Sequence, residues 1–284
     1  MYRTIGVWLA LAIVFVPQAA RAQSVLLQIR PRVGDTLGVR LYQQVEMTGT
    51  PTGCATLDSA SPRTTAPAAR QRACTEGIRQ MTTRMEVFSR AIVRATTPEG
   101  TLVVAVTDSI RTATGAPGRT PDPARISSSN ESVQLRISTD GSAEVIDAAA
   151  SSELRTVFGQ MPATLSRQRV SVRERWERQM RIPLPGEPRA NGLVRTTFQL
   201  DSLGRSGDVA YISMRGTLSH DPMDGRDSEQ SGLLVGTMQL DRKLAWITDM
   251  RVTITNESTV RRAGGEPMHV RTKVTQLLKA GVAR

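Results

Sequence analysis

The chain has 284 residues, with 37 Lys and Arg against 26 Asp and Glu, and a formal net charge of +11. The basic residues are spread along the sequence, and neither a basic block nor a helix-turn-helix or aromatic-interleaved RNA-binding pattern occurs, which argues against nucleic acid as a partner. This spread is typical of the solvated outer faces of strands, with attraction to an acidic envelope surface as the alternative. Aromatic residues make up only 4% of the chain, so the core must consist of aliphatic side chains and Met.

The first 22 residues have the pattern of a cleavable signal peptide. Arg3 precedes an uncharged apolar run over residues 5–16, Pro17 ends the run, and Ala20 and Ala22 occupy the −3 and −1 positions before the predicted cleavage site. A helix of twelve residues rises only about 18 Å, short of a hydrocarbon core of about 30 Å. The sequence therefore predicts a mature chain, residues 23–284, that is soluble, has no transmembrane segment and is periplasmic or secreted.

Cys54 and Cys74 are the only cysteines in the chain. In an oxidising compartment, an isolated pair at this spacing favours a structural disulfide. The bridge would close a loop of small and polar residues and stabilise the fold by roughly 3 kcal/mol.

Alternation of apolar and polar residues with period two dominates the mature chain. It covers residues 39–47, 81–87, 133–137 and 246–254, and turn signals stand at 98–100, 140–141, 203–207 and 241–243. Strands with one buried and one solvated face favour antiparallel pairing. The predicted fold class is mainly β (α+β), as a long curved antiparallel sheet or an open barrel in one β-rich domain.

One central helix is predicted over residues 147–161. Asp147 can cap it, its apolar residues fall on one face, and Pro162 ends it. The order of strands and turns is similar before and after this helix, which suggests two related β-units at 23–146 and 168–284. Three long loops are predicted at 49–76, 112–130 and 219–232.

Three short motifs carry a resemblance to a known family. They are the start Val33-Gly34-Asp35-Thr36, then Trp176 ahead of the step at 182–185, and Gly236 to Asp241 at the last long hairpin. In this order they resemble an uncharacterised family of exported bacterial β-rich proteins, a domain of unknown function. In that family the Trp commonly follows a Gly-Asp pair, whereas Glu174-Arg175 stands here. The resemblance implies a curved antiparallel sheet partly wrapped round a helix and an exported location, and it implies no catalytic site.

No catalytic residue, metal site or cofactor is predicted. His220 and His269 are the only histidines, and they are too far apart in sequence to suggest a metal site. The acidic loop 221–229 resembles a calcium loop, but Pro222 and His220 occupy positions where an EF-hand needs oxygen ligands. The enzyme alternative is a hydrolase with an unfamiliar site, which requires several of six residues to converge: Asp35, Glu86, Asp108, Asp201, Asp208 and His220.

The predicted function is non-enzymatic binding of an apolar small molecule or lipid, or of an envelope protein. The concave face of a curved sheet can hold an apolar ligand, and Met side chains make such a surface adaptable. The candidate ligand surface comprises Met81, Met85, Met214, Met238, Trp246 and Met250. Ordinary core packing of these six residues is the competing interpretation, and a structural envelope protein is a further alternative.

Overall fold

The computed structural model describes residues 24–52, 79–116, 125–127, 132–147, 163–184, 187–220, 230–260 and 267–283. Twelve strands account for most of these residues: β1 Thr36–Pro51, β2 Arg79–Thr97, β3 Gly100–Gly115, β4 Arg125–Ser127, β5 Ser132–Ile137, β6 Ala143–Val145, β7 Arg175–Leu184, β8 Glu187–Leu203, β9 Val209–His220, β10 Gln230–Asp241, β11 Trp246–Val260 and β12 Met268–Val282. Within the described ranges, no helix has the length and apolar character needed to span a bilayer.

All strands belong to one antiparallel sheet in the order β6-β5-β3-β2-β1-β12-β11-β10-β9-β8-β7, with β4 paired to β3. Most strands pair with their neighbours in the chain. The exceptions are β3, which pairs with both β4 and β5, the two edge strands β6 and β7, which lie at opposite ends of the order, and the central pair, in which β1 runs antiparallel to β12 from Leu37–Val282 to Pro51–Met268. The predicted mainly β class with an antiparallel sheet is confirmed. The four predicted turns all fall between consecutive strands. The predicted loop 112–130 is partly wrong, because β3 continues to Gly115 and β4 pairs with it.

Several predictions fall on residues that the structure does not describe. They are the signal peptide, the disulfide between Cys54 and Cys74, the acidic loop 221–229 and nearly all of the central helix at 147–161. Asp147, the predicted helix cap, is described and lies just after β6. These assignments stay predictions, as does the relation between two β-units.

The sheet curls so strongly that its two ends approach each other. Ile29 N donates to Thr139 O in the β5–β6 turn at 2.9 Å, and only four residues earlier Val25 exchanges two 2.8 Å hydrogen bonds with Val170, just before β7. In a flat sheet, the ten spacings between β6 and β7 would cover about 48 Å. Four extended residues reach only about 14 Å. The sheet is therefore strongly curved. We use the name junction end for the end of the strands at which β1 begins, near Thr36.

Asp140, in the β5–β6 turn, makes the contacts that hold this curl. Its side chain is 2% exposed. The carboxylate accepts hydrogen bonds from Ser142 N at 3.2 Å, Ser142 Oγ at 2.8 Å and Arg167 Nε at 2.9 Å. Its backbone oxygen accepts from Thr164 N and Leu165 N, both at 2.9 Å. We call this set of contacts the Asp140 junction.

The segment that Asp140 holds is fixed to the opposite end of the sheet by two side chains of β7. Trp176 Nε1 donates to Thr164 O at 2.9 Å, and Arg178 Nη2 donates to Leu165 O at 2.5 Å. Trp176 also stacks on Phe198 of β8, with ring centroids 5.7 Å apart and planes 11° from parallel. The β5–β6 turn and β7, at opposite ends of the strand order, are thus joined through residues 164 and 165.

The hydrophobic core includes this junction end and continues along the inner face of β8, β9 and β10 to Val194, Leu218 and Leu234. Residues 24–35 and 163–174 contribute Leu27 and Leu165, which are 1% and 0% exposed, and the sheet contributes side chains such as Leu37, Leu200 and Leu240. All belong to one cluster of buried residues. The two segments therefore cover the inner face of the sheet where it is most tightly curled.

Glycines allow the close approach of strands in the β8–β11 region. A Cβ on Gly236 would lie 2.5 Å from Arg251 O, and one on Gly216 would lie 2.7 Å from Arg195 O. Glycine inside a strand is unfavourable in itself and is found where another backbone comes close. The close approach of neighbouring backbones in this curved region therefore requires glycine at positions 236 and 216.

Replacing Asp140 by Asn tests the junction. Burial tends to raise the pKa of Asp140, but the hydrogen bonds from Ser142 and Arg167, with the charge of Arg167, outweigh it and hold the pKa below the ordinary 3.8. The ionised carboxylate therefore stabilises the fold above about pH 3.8, and this contribution is lost as the pH falls further. In urea denaturation at pH 7, D140N should lose about 1.5–3 kcal/mol.

The matched control for D140N is Asp108→Asn, which breaks the more exposed pair of Asp108 with Arg90 and should cost less than about 1 kcal/mol. The stability of D140N should also decrease less than that of the wild type as the pH falls from about 5 to 3. Equal losses in D140N and D108N would contradict the role assigned to the junction.

Gly236→Ala tests the curvature. The added methyl group would meet Arg251 O and the side chains of Met214 and Val252, so thermal unfolding should show a loss of about 1–3 kcal/mol. Gly281→Ala, on β12, is the control, because nothing lies within 4 Å of a Cβ there. That variant should be neutral or up to about 1 kcal/mol more stable. A loss in G281A as large as that in G236A would show that backbone contact is not the cause.

Candidate functional site

An apolar surface covers the inner face of the four central strands, beyond the packed core. Leu41 of β1 lies opposite Val87 of β2 and Leu278 of β12, and Leu278 lies opposite Met250 of β11. These positions share the face of the buried Leu37, because side chains alternate along a strand. We define the inner apolar face by its half-buried and exposed members: Leu41, Val45, Met47, Met81, Met85, Val87, Met250, Ile254, Val274 and Leu278.

No second layer of described residues packs across this face. Each strand has its main contacts with its neighbours in the sheet. The segments 24–35 and 163–174 join the buried cluster at the junction end only. A sheet normally buries its apolar face against another layer of secondary structure. The inner apolar face is therefore a concave surface without a partner in the described part of the chain.

Two amide side chains interrupt the apolar character of this face. Gln43 of β1 lies directly opposite Gln276 of β12, and both side chains are half-buried. Along β1, Gln43 stands between Leu41 and Val45 on the same face. Within the described residues, neither amide forms a hydrogen bond. Each offers two N–H donors and one oxygen acceptor to a molecule lying on the face.

The structure divides the six predicted ligand-surface residues into two groups. Met214 and Met238 are 4% and 1% exposed and belong to the core. Trp246 is half-buried against the same core. Met81, Met85 and Met250 lie on the inner apolar face, where Met81 is 43% exposed and Met250 packs against the core. The competing interpretation of core packing therefore describes Met214 and Met238.

The contribution of β12 to the inner apolar face was not predicted. Val274, Gln276 and Leu278 alternate with polar residues through Met268–Val282, which is the period-two signal seen in the other strands. In β1, the same alternation already contained Leu41 and Val45, but the predicted ligand surface comprised five methionines and Trp246 only. The pair Gln43 and Gln276 could not be predicted from local sequence, because only the register of β1 against β12 places the two residues side by side.

The outer face of the central strands is charged, and its carboxylates pair with basic residues. Arg90 meets Asp108 with nitrogen–oxygen distances of 2.7–3.2 Å, and the hydrogen bond and charge of Asp108 raise the pKa of Arg90. Arg40 Nε donates to Glu86 at 2.6 Å. A shallow groove of about 370 Å³ lies beside Arg40, Arg90 and Lys279. This face is the solvated side of the sheet.

The structure places the predicted carboxylates at separate positions. Asp35 accepts from Arg32 N in the turn before β1, while Glu86 and Asp108 sit in the ion pairs of the outer face. Asp201 accepts from Gln199 and from Ser213 on β9.

The last described carboxylate of that set is Asp208, in the β8–β9 turn. Hydrogen bonds from Lys243 and Ser206 lower its pKa, and its oxygen lies 2.7 Å from Lys243 Nζ. The side chain of His220 lies outside the described residues. Within the described ranges, no three His, Cys, Asp or Glu residues stand close enough to hold a metal ion.

The motif residues behind the family resemblance have structural roles. Gly34 has φ +92°, a left-handed conformation that suits glycine, and its N–H donates to Val93 O at 3.0 Å. The indole Nε1 of Trp176 donates a hydrogen bond to the backbone oxygen of Thr164. The Asp241 carboxylate accepts from the backbone N–H groups of Lys243 and Leu244 at 2.8 and 2.9 Å, which closes the β10–β11 turn. All three features belong to the junction end.

No protein-family model and no curated protein matches the chain. Among solved structures, the chain is similar to lipovitellin, in a structure concerned with lipid–protein interactions, at 9% identity and a TM-score of 0.49. That match covers 90% of this chain and 26% of lipovitellin. An outer membrane channel from Pseudomonas putida F1 is similar at 12% identity and a TM-score of 0.24, over 89% of this chain and 97% of the channel. At these levels, neither protein informs the function of this chain.

Proposed function

We propose that this is an exported, non-enzymatic envelope protein that binds a lipid acyl chain, or a comparable elongated apolar molecule, on its inner apolar face. The observation that supports the proposal is the concave apolar surface of four central strands, over which the described chain places no second layer. The signal peptide predicted at residues 1–22 and the family resemblance support the exported location.

The dimensions of the inner apolar face suit an acyl chain. From Leu41 to Met47, β1 advances about 20 Å, and the three spacings between β2 and β11 add up to about 14 Å. A bilayer core of about 30 Å contains two chain lengths, so one chain extends about 15 Å. One or two chains therefore fit along the strands, with their methylenes against Val, Leu, Ile and Met side chains.

Chain length should control the affinity. Burying a methylene is favourable by about 0.8 kcal/mol, whereas association costs about 4–15 kcal/mol before any gain. A short chain therefore cannot offset the cost. Each added methylene should tighten binding by up to about four-fold until the face is filled.

The pair Gln43 and Gln276 gives the proposed ligand one polar position. Apolar pockets commonly contain a few polar groups that fix the orientation of the ligand. The two amides can donate to an ester, hydroxyl or carboxyl oxygen of the bound molecule. We therefore favour an amphiphile whose oxygen atoms reach the middle of β1 over a pure hydrocarbon.

Leu278→Gln tests the proposal, with Leu277→Gln as its matched control. The two leucines are neighbours on β12 but face opposite sides: Leu278 pairs with Leu41 on the inner face, and Leu277 with Tyr42 on the outer face. A fluorescent long-chain fatty acid should bind the mature wild-type chain. L278Q should weaken its binding at least about ten-fold, because a polar amide would replace an apolar side chain against the bound acyl chain and would lose its hydrogen bonds to water there, while L277Q should change it less than about two-fold.

Circular dichroism establishes that both variants keep the sheet, and native mass spectrometry measures the stoichiometry of bound fatty acid. Two results would refute the proposal. One is a wild type that binds no fatty acid at any chain length, which would mean that the face is covered by the protein itself. The other is equal weakening by L277Q and L278Q.

A further inference from the structure

Two exposed aliphatic side chains lie on the outer face of β10. Leu233 is 63% exposed and Val235 is 54% exposed, whereas Leu234 between them is 9% exposed and faces the core. They lie two residues apart on one side of the strand. Isolated exposed aliphatic residues are ordinary, but two neighbouring ones on the same face of a strand mark a candidate contact surface.

Three exposed arginines surround this pair. Arg215 of β9 is the direct neighbour of Val235, Arg251 of β11 lies opposite Thr237 of β10, and Arg195 of β8 lies opposite Thr217, which adjoins Leu233. All three arginines are exposed. We define the basic–aliphatic patch as Arg195, Arg215, Leu233, Val235 and Arg251.

The charge of the patch is not neutralised within the described part of the chain. None of its arginines has an ion pair there, whereas Arg40, Arg90 and Lys273 on the central strands each pair with a carboxylate. Asp249 precedes Arg251 by two residues on β11. Its Oδ2 atom lies 3.9 Å from Nζ of Lys279 on the neighbouring strand β12. Among the described acidic residues nearest the patch, Glu257 of β11 pairs with Arg271, and Asp201 of β8 accepts hydrogen bonds from Gln199 and Ser213.

We propose that the basic–aliphatic patch docks the protein on the surface of an anionic lipid bilayer. Arginines near such a surface are attracted to lipid phosphates, and aliphatic side chains enter the boundary between headgroups and acyl chains. The patch lies on the convex side of the curled sheet, so it can approach a flat membrane while the inner apolar face points away. This binding does not depend on the proposed acyl-chain function, although it would bring such a site to its ligand.

Vesicle flotation with the mature chain, residues 23–284, tests the proposal. The protein should float with vesicles of phosphatidylcholine containing about one-third phosphatidylglycerol at low salt, and should not float with pure phosphatidylcholine. Raising the salt should release it, since the screening length falls from about 10 Å at 0.1 M to about 3 Å at 1 M.

The variant Arg195→Gln, Arg215→Gln, Arg251→Gln should lose vesicle affinity roughly 100-fold, as expected when three basic groups near the surface are removed. Leu233→Ser with Val235→Ser should weaken binding about ten-fold at unchanged charge, because two aliphatic side chains no longer enter the boundary. The control Arg84→Gln, Arg94→Gln, Arg111→Gln removes the same charge from exposed positions on β2 and β3, away from the patch, and should change binding less than about three-fold.

Thermal melting shows whether each variant is folded, and binding of the fluorescent fatty acid should be unchanged in all three. Conversely, L278Q should still bind vesicles, so failure of one proposal can be told from failure of the other. The docking proposal is overturned if the wild type does not bind anionic vesicles, or if the control variant loses as much affinity as the patch variant. It is also overturned if double-stranded DNA competes as well as lipid, which would indicate general attraction to polyanions.

Discussion

The contacts of Asp140 join two parts of the sheet that a flat arrangement would hold tens of ångströms apart. One buried carboxylate and its own backbone oxygen bind residues 142, 164, 165 and 167, and Trp176 and Arg178 carry the connection to β7. A buried carboxylate is stable only when its oxygens are satisfied, and here three donors satisfy them. The curl of the sheet, the position of the core and the concavity of the inner face all follow from this connection.

The two faces of this single curled sheet differ in chemical character. Near the junction end, residues 24–35 and 163–174 bury the inner face, so this part behaves as an ordinary core. Further along β1 and β12, the same face stays apolar without a described covering layer. The outer face has ion pairs on the central strands, and its exposed arginines on β8, β9 and β11 form no ion pair with another described residue. The two proposals, apolar binding on the inner face and attraction to anionic lipid on the outer face, both rest on this difference between the faces.

Local sequence signals predicted the strands and turns well because both depend on neighbouring residues. Alternation located β1, β2, β5 and β11, and Asp241 marked a turn that its carboxylate indeed closes. The contacts between Ile29 and Thr139 or Asp140 and Arg167 join residues far apart in the chain, and no local pattern encodes them. For the same reason, Met214 and Met81 look alike in sequence, yet the curl buries the first and exposes the second.

Photo-crosslinking with a fatty acid that carries a diazirine on its chain tests the central claim most directly, because it reports which face the chain contacts. The account predicts labels with period two along β1 and β12, at Leu41, Val45, Val274 and Leu278, and none at the intervening Tyr42 and Leu277. Labels spread equally over both sets of positions, or confined to residues outside the sheet, would contradict an acyl-chain site on the inner apolar face.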